Sequence, residues 1–351
     1  MLPAFGMGVA VQNPETPFWV MAGLAVLCGL GGGNFASSMA HISFFFPKRE
    51  KGTALGLNAG LGNLGVSAAQ FLVPVVITAG VFGGEPLLLR DDGNRPIWLQ
   101  NAGFVWVPLI GVAALAAWLG MNDIASARAS LREQAVIFRR KHTWIMCWLY
   151  LGTFGSFIGF SAGFPLLMQL QFSEINPARY VFLGPLIGAL SRPLGGWLGD
   201  RFGGARVTLW AFVVMALAAF GAILLLGQGQ GASFWGFFTT FMLLFLVSGI
   251  GNGSTFRMVP LIFLTLHQRN AAGPEAKQAA AVEAGKEAAA VLGFTSAIGA
   301  YGAFFIPSSY GASISLTGEP GGALWVFIVF YLTCVALTWW YYARRGAEIP
   351  C

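Results

Sequence analysis

Charge is what this chain has least of. Lysine, arginine, aspartate and glutamate together make up 10% of its 351 residues, where a soluble globular chain carries about 25%. With 56% hydrophobic residues and a mean hydropathy of +0.69, that scarcity excludes a water-soluble domain and defines a polytopic membrane protein. Histidine and cysteine are equally sparse. His41, His142 and His267 lie far apart, and Cys28, Cys147, Cys334 and Cys351 show no ligand spacing. No metal, cofactor or nucleophile–base pair is expected, and the chain does not read as an enzyme. The start, MLPAFGMGVAVQNPETPFW, lacks the basic region and cleavage pattern of a signal peptide. Its apolar part, Met1 to Val11, is shorter than the ~20 residues needed to cross a bilayer, and reads as the second half of a helix. Acids are missing from the apolar segments too. All 14 carboxylates fall in loops or at segment ends, with Glu287, where its segment begins, coming nearest.

Glycine, in contrast, is abundant. Gly52, Gly56 and Gly60 recur every four residues, so they stack on one helix face and let another backbone approach. Each costs about 1 kcal/mol against alanine in a helix, and close packing inside a membrane can offset that. Asn63 lies seven residues after Gly56 and shares that face, offering an amide. Phe35 follows the run Gly31-Gly32-Gly33-Asn34, a context suited to close approach.

Apolar segments fall at 17–46, 53–82, 101–120, 143–172, 178–199, 206–227, 233–266, 287–316 and 321–342, giving nine spans. Fifteen lysines and arginines, including Lys48, Arg49, Lys51 and Arg128, lie on alternate loops; the opposite loops hold only Arg90, Arg95 and Arg179. That bias places the 48–51 turn and the C-terminus in the cytoplasm. The net charge of +6 is therefore topological and does not imply nucleic-acid binding.

An internal repeat points to two related halves. Gly56, Gly62 and Gly65 have counterparts at Gly293, Gly299 and Gly302, each offset by 237. GGGN ending at Asn34 echoes GIGN ending at Asn252. The polar, basic segment 122–142 reads as the link between halves.

Two positive charges lie inside apolar segments. Arg192 stands eight residues before Asp200-Arg201, so it sits ~12 Å inside the membrane edge. An arginine at that depth is costly unless paired or facing a cavity, and no acid is available to it. A buried cation without a resident anion points to an anion from outside, with backbone carbonyls as the competing partners. Arg257 is ten residues from His267 and is either an inter-helix brace or part of the anion path. Tyr150, Phe154 and Phe157 are spaced i, i+4, i+7 and line one helix face. Gly155, Gly159 and Gly163 form a small-residue packing seam. Gly199-Asp200-Arg201-Phe202-Gly203-Gly204-Ala205-Arg206 sits between two spans, where Asp200 and Arg201 can brace neighbouring helices as a conformational latch.

Together these residues resemble the nitrate/nitrite porters of the major facilitator superfamily. GDRFGGAR is similar to that superfamily's recurring inter-helix motif. GNFASSM, ISFFFPK, GTALGLNAGLGNL (52–64) and AVLGFTSAIGAYGAFFIP (290–307) carry the resemblance to the porters. The resemblance implies an all-α major facilitator fold lacking roughly its first two and a half helices. Residues 1–121 would form a partial N-terminal bundle (the end of helix 3 and helices 4–6), 122–142 a cytoplasmic linker, and 143–351 a six-helix C-terminal bundle. It implies nitrate and nitrite as ligands, bound by Arg192, Phe35, Phe154, Tyr150 and Asn63. Gly56, Gly60, Gly62, Gly65, Gly293, Gly299, Gly302, Asp200 and Arg201 would serve packing and gating. The family's second arginine, on its second helix, has no counterpart here. The expected protein is a monomer, multi-pass in the cell's inner membrane, exchanging nitrate for nitrite; proton-coupled symport and a non-transporting remnant or sensor are the alternatives.

Overall fold

The computed structural model describes residues 1–47, 49–89, 95–121, 130–226, 233–269 and 271–351. Lys48, Arg90, Arg128 and the first part of the expected link, residues 122–129, lie outside them. Helix dominates, because only intra-segment hydrogen bonding satisfies the backbone in hydrocarbon. Among the described residues, eight helical stretches are long and apolar enough to cross a membrane: Phe18–Met39, Lys51–Val76, Asn101–Gly120, Lys141–Gln171, Gly204–Leu226, Phe234–Gln268, Pro274–Thr317 and Gly321–Ala343. The remaining expected span, 178–199, is also helical, as Leu183–Phe202. It falls short in apolarity because it carries Arg192, Asp200, Arg201 and a series of glycines.

The chain divides into two compact units, and the division falls inside two helices. The first unit is Met1–Asn34 with Ala68–Ser126. It holds α1 (Leu2–Ala10), the start of α2 (Phe18–Phe45) and the end of α3 (Lys51–Val76). Strands β1 (Leu87–Leu89) and β2 (Arg95–Ile97) pair antiparallel, with Leu88 opposite Pro96. Helices α4 (Asn101–Phe104) and α5 (Trp106–Gly120) complete it. Gly8 and Gly103 let α1 and α4 touch: a Cβ on Gly8 would lie 2.5 Å from the Phe104 ring. The buried Asn101 amide donates to the carbonyls of Val76 (3.1 Å) and Ala79 (2.5 Å), tying α4 to the end of α3. Helix α5 buries no side chain.

The second unit is Phe35–Ser67 with Ala127–Cys351. After the short turn α6 (Leu131–Gln134) come α7 (Lys141–Tyr150), α8 (Ser156–Gln171) and α9 (Leu183–Phe202). They are followed by α10 (Gly204–Leu226), α11 (Phe234–Gln268), α12 (Pro274–Ala300), α13 (Gly302–Thr317) and α14 (Gly321–Thr338). Two features differ from the sequence reading. The span 143–172 is interrupted by a π-helical turn, Leu151–Gly155. The expected loop 267–286 is largely helix, since α12 begins at Pro274. Its stretch PEAKQAAAVEAGKEAAA is polar enough to read as a loop, yet proline at N1 and the alanine, glutamate and lysine content favour helix strongly. Glu287 consequently lies well inside α12, not at its start.

Helix α9 is the axis of this unit, and glycine makes it so. A Cβ on Gly56 would sit 2.7 Å from the Arg192 carbonyl oxygen, and one on Gly60 2.7 Å from that of Ala189. From the other side, a Cβ on Gly253 of α11 would overlap the same Arg192 carbonyl. Backbones of α3 and α11 thus flank the one turn that carries the arginine. The α8 seam behaves as expected, with Gly155 and Gly159 against Gly302. Gly62 and Gly65 do not: a Cβ on either meets nothing within 4 Å, and the same holds for Gly31, Gly32 and Gly33. The close approach expected around Phe35 is therefore not made by that glycine run.

Candidate functional site

Arg192 is fully buried. Its Nη1 donates to the Ala59 carbonyl oxygen at 3.3 Å, while Nε and Nη2 have no hydrogen-bond partner among the described residues. No carboxylate lies within ion-pair distance of it among those residues either. Its guanidinium instead lies 4.3 Å from the Phe157 ring centroid and 5.2 Å from that of Phe154. Each such contact is worth roughly 0.5–2 kcal/mol, against several kcal/mol for taking the ion out of water. The free Nε and Nη2 share one edge of the planar group and present two parallel donors, the fork that suits an oxyanion.

Four rings stack beside this position and reach it through Phe154. Phe35 stacks on Phe154 with centroids 5.6 Å apart, and Phe154 on Tyr150 at 5.3 Å. Tyr150 stacks on Phe256 at 4.3 Å, and Phe256 returns to Phe35 at 6.2 Å. The set comes from α2, α7 with its π turn, and α11. The missing side chain at Gly299 admits it, because a Cβ there would press to 2.8 Å from Tyr150 and 3.0 Å from Phe154.

Polar groups complete the site. Asn63 is buried, and its Nδ2 donates to Ala59 at 2.8 Å, the same oxygen that holds Arg192. The Tyr150 hydroxyl and both side-chain atoms of the fully buried Asn252 have no formed hydrogen bond among the described residues. Asn252 and Ser296 are nevertheless the polar neighbours of that hydroxyl. A buried donor left unpaired costs about 1–3 kcal/mol, so a cluster of them is characteristic of a place where a ligand supplies the partners.

The five residues expected to bind substrate, Arg192, Phe35, Phe154, Tyr150 and Asn63, thus lie in one neighbourhood. Asn252 and Phe256 belong to it and were not singled out from the sequence. The GIGN echo of GGGN pointed at Asn252, and Phe256 follows one turn later on the same face. Arg257 does not join them. Its Nε donates to Asp200 Oδ1 at 3.2 Å, at the end of the unit that carries the GDRFGGAR loop. There Asp200 also accepts from the Gly52 (3.2 Å) and Thr53 (2.9 Å) amides and from Thr53 Oγ1 (3.0 Å), capping the N-terminus of α3 from α9. Arg201 is exposed and lies over the Trp197 and Phe202 rings instead. Glu287 receives Arg140 at 2.7 Å and contacts His267 at 2.6 Å, so it too is engaged at that end.

A sequence profile of the Major Facilitator Superfamily matches residues 1–282. The chain is 51% identical over 352 aligned positions to the nitrate/nitrite transporter NarU of Escherichia coli K12, covering 98% of this chain and 75% of that one. It is 42% identical to the probable nitrate/nitrite antiporter NarK2 of Thermus thermophilus, covering 100% and 76%. Among solved structures it is similar to the major facilitator transporter FucP in the outward conformation, with a TM-score of 0.66 at 14% identity over 96% of this chain and 79% of that one. The human organic anion transporter MFSD10 has a TM-score of 0.61 at 13% identity, over 96% and 75%.

Proposed function

Since the chain belongs to the nitrate/nitrite porters of the major facilitator superfamily, we propose that this multi-pass membrane protein carries nitrate and nitrite, exchanging one for the other. The observation that carries this reading is the buried arginine with two free parallel donors and no acid beside it among the described residues. Nitrate and nitrite are flat, weakly hydrated ions of single charge. The Arg192 fork binds two oxygens, the stacked rings of Phe35, Tyr150, Phe154 and Phe256 exclude water, and Asn63, anchored on the same Ala59 carbonyl as Arg192, brings an additional amide donor to the anion. Low local polarity strengthens the attraction of the charge pair. An uncompensated guanidinium resists reorientation of the site, and a bound anion removes that barrier, which couples movement of one anion to return of the other. The loop-charge bias supports a cytoplasmic position for the Asp200–Thr53–Arg257 latch, so the state described here is the one in which that latch is closed.

Counterflow tests the reading. Labelled nitrate should enter nitrite-loaded proteoliposomes with the proton gradient collapsed, and entry should stop when internal nitrite is omitted. Uptake that instead requires an imposed proton gradient would replace exchange by symport. Failure to carry either anion under both conditions would remove the assignment.

A further inference from the structure

We propose that Asn252 sets the choice between nitrate and nitrite, by donating its Nδ2 hydrogen to the nitrate oxygen that points away from Arg192. The inference rests on the anion-exchange reading above and adds a residue and a role to it.

Three observations carry it. Asn252 is fully buried and neither its Nδ2 nor its Oδ1 has a partner among the described residues. Its helix is held against the arginine's own helix, since Gly253 abuts the Arg192 carbonyl and Gly249 that of Gly188. One turn beyond, Phe256 stacks on Tyr150 at 4.3 Å, and Asn252 is a polar neighbour of the Tyr150 hydroxyl. The amide therefore lies beside Tyr150, on a helix packed against the turn that carries Arg192.

The geometry of the two ions gives the amide its effect. The free edge of Arg192, Nε with Nη2, takes two oxygens of either anion equally well. Nitrate then directs a third, negatively charged oxygen away from the fork. Nitrite has only its nitrogen lone pair there, one bond length further back and a weaker acceptor. A donor facing the fork thus bonds nitrate directly and nitrite poorly. An amide suits the position because it carries both a donor and an acceptor. With an anion bound, we assign its Oδ1 to the hydrogen of the neighbouring Tyr150 hydroxyl, a bond not formed in this structure, which leaves Nδ2 for the anion. Ser296, the other polar neighbour, already donates its hydrogen to the Leu292 carbonyl at 2.7 Å and has none left for the anion.

The test is the ratio of the KM values for nitrate and nitrite in reconstituted Asn252→Leu, which keeps the branched outline and removes the hydrogen bonds. Asn252→Ala serves the same comparison if the leucine variant does not insert. The nitrate KM should rise tenfold or more, about 1.4 kcal/mol, while that for nitrite changes less than about twofold. Equal changes for both anions, or none, would overturn the assignment, because a merely structural residue does not distinguish them. A wild-type protein that carries neither anion removes the exchange reading and this role with it; a wild-type protein that carries both, with an unaltered ratio in the variants, removes only the role of Asn252.

Discussion

Arg192 and Asn63 donate to one and the same acceptor, the Ala59 carbonyl oxygen, at 3.3 and 2.8 Å. That oxygen fixes the guanidinium by a single corner and leaves its opposite edge free. Neither residue alone defines the direction of the fork; their common anchor does.

Arg192→Lys keeps the charge and discards the planar edge. Two charge-assisted hydrogen bonds become one at best, a loss of about 1.5–3 kcal/mol. Nitrate counterflow should fall by about a hundredfold while the amount of inserted, monodisperse protein stays level. Wild-type flux in this variant would take Arg192 out of the site.

Gly299 and Gly62 occupy equivalent places in the internal repeat yet predict opposite results. Alanine at Gly299 drives a methyl into Tyr150 and Phe154, an overpacking of about 1–3 kcal/mol, and should depress anion affinity together with thermal stability. Gly62→Ala meets nothing within 4 Å and should leave both unchanged. Melting of the purified variants alongside nitrate binding decides the matter, and equal behaviour of the two would contradict it.

Asp200→Asn preserves shape but withdraws the carboxylate from Gly52, Thr53 and Arg257. Losing a cap and a charge at a helix terminus costs about 1–2 kcal/mol, enough to move a two-state equilibrium five- to thirtyfold. Ala284 is buried and lines a cavity of about 140 Å³ with Lys51 and Arg257 beside this contact. A thiol introduced as Ala284→Cys, with the exposed Cys28 replaced by serine, should react faster in the Asp200→Asn background. An unchanged labelling rate would mean the contact is not a latch.

The C-terminal segment is clasped to the same bundle. Glu348 accepts from Lys141 Nζ at 2.6 Å and contacts His142 at 3.3 Å, Arg269 donates to the Glu348 carbonyl, and Ile349 is buried with its amide on the Tyr341 carbonyl at 3.1 Å. The Lys141 hydrogen bond, with His142 adding to it, holds the Glu348 carboxyl below its usual 4.5. A depressed carboxylate stabilises the bound form above its ordinary pKa and ceases to do so as pH falls through the lowered one. Hydrogen-exchange protection at Ile349 should therefore persist at neutral pH and decline only below about pH 4.5. Glu348→Gln should lower it several-fold at pH 7, and protection indifferent to that change would dismiss the clasp.

Much of this was legible in the residues. Hydropathy located the helices because the bilayer leaves the backbone no other option, and Arg192 stood out because nothing apolar surrounds an arginine without reason. The Gly52, Gly56, Gly60 face survived intact, since helical spacing fixes it, whereas Tyr150, Phe154 and Phe157 meet across a π turn that the i, i+4, i+7 pattern did not show. Apolarity could not resolve α12, whose polar first turns look like a loop but propagate as helix. Nor could it separate Gly62 from Gly56, because glycine records that a Cβ is absent and not whether anything occupies its place. Asn252 escaped for a related reason: an amide in an apolar run becomes informative only when its neighbours are known and found not to bond it. The pairing of Arg257 with Asp200 depends on contact between α9 and α11, which no local pattern encodes.

The π-helical turn at Leu151–Gly155 separates Tyr150 from the rigid run of α8. A π turn holds one more residue than an α turn, so it works as a phase shifter between two straight cylinders. Reverting it to α geometry would advance everything before it by one residue, about 100° around the axis, and would carry the Tyr150 ring off its partners while the glycine seam on α8 stayed seated. The stacking of Tyr150 beside Arg192 is thus keyed to a one-residue dislocation in a single helix.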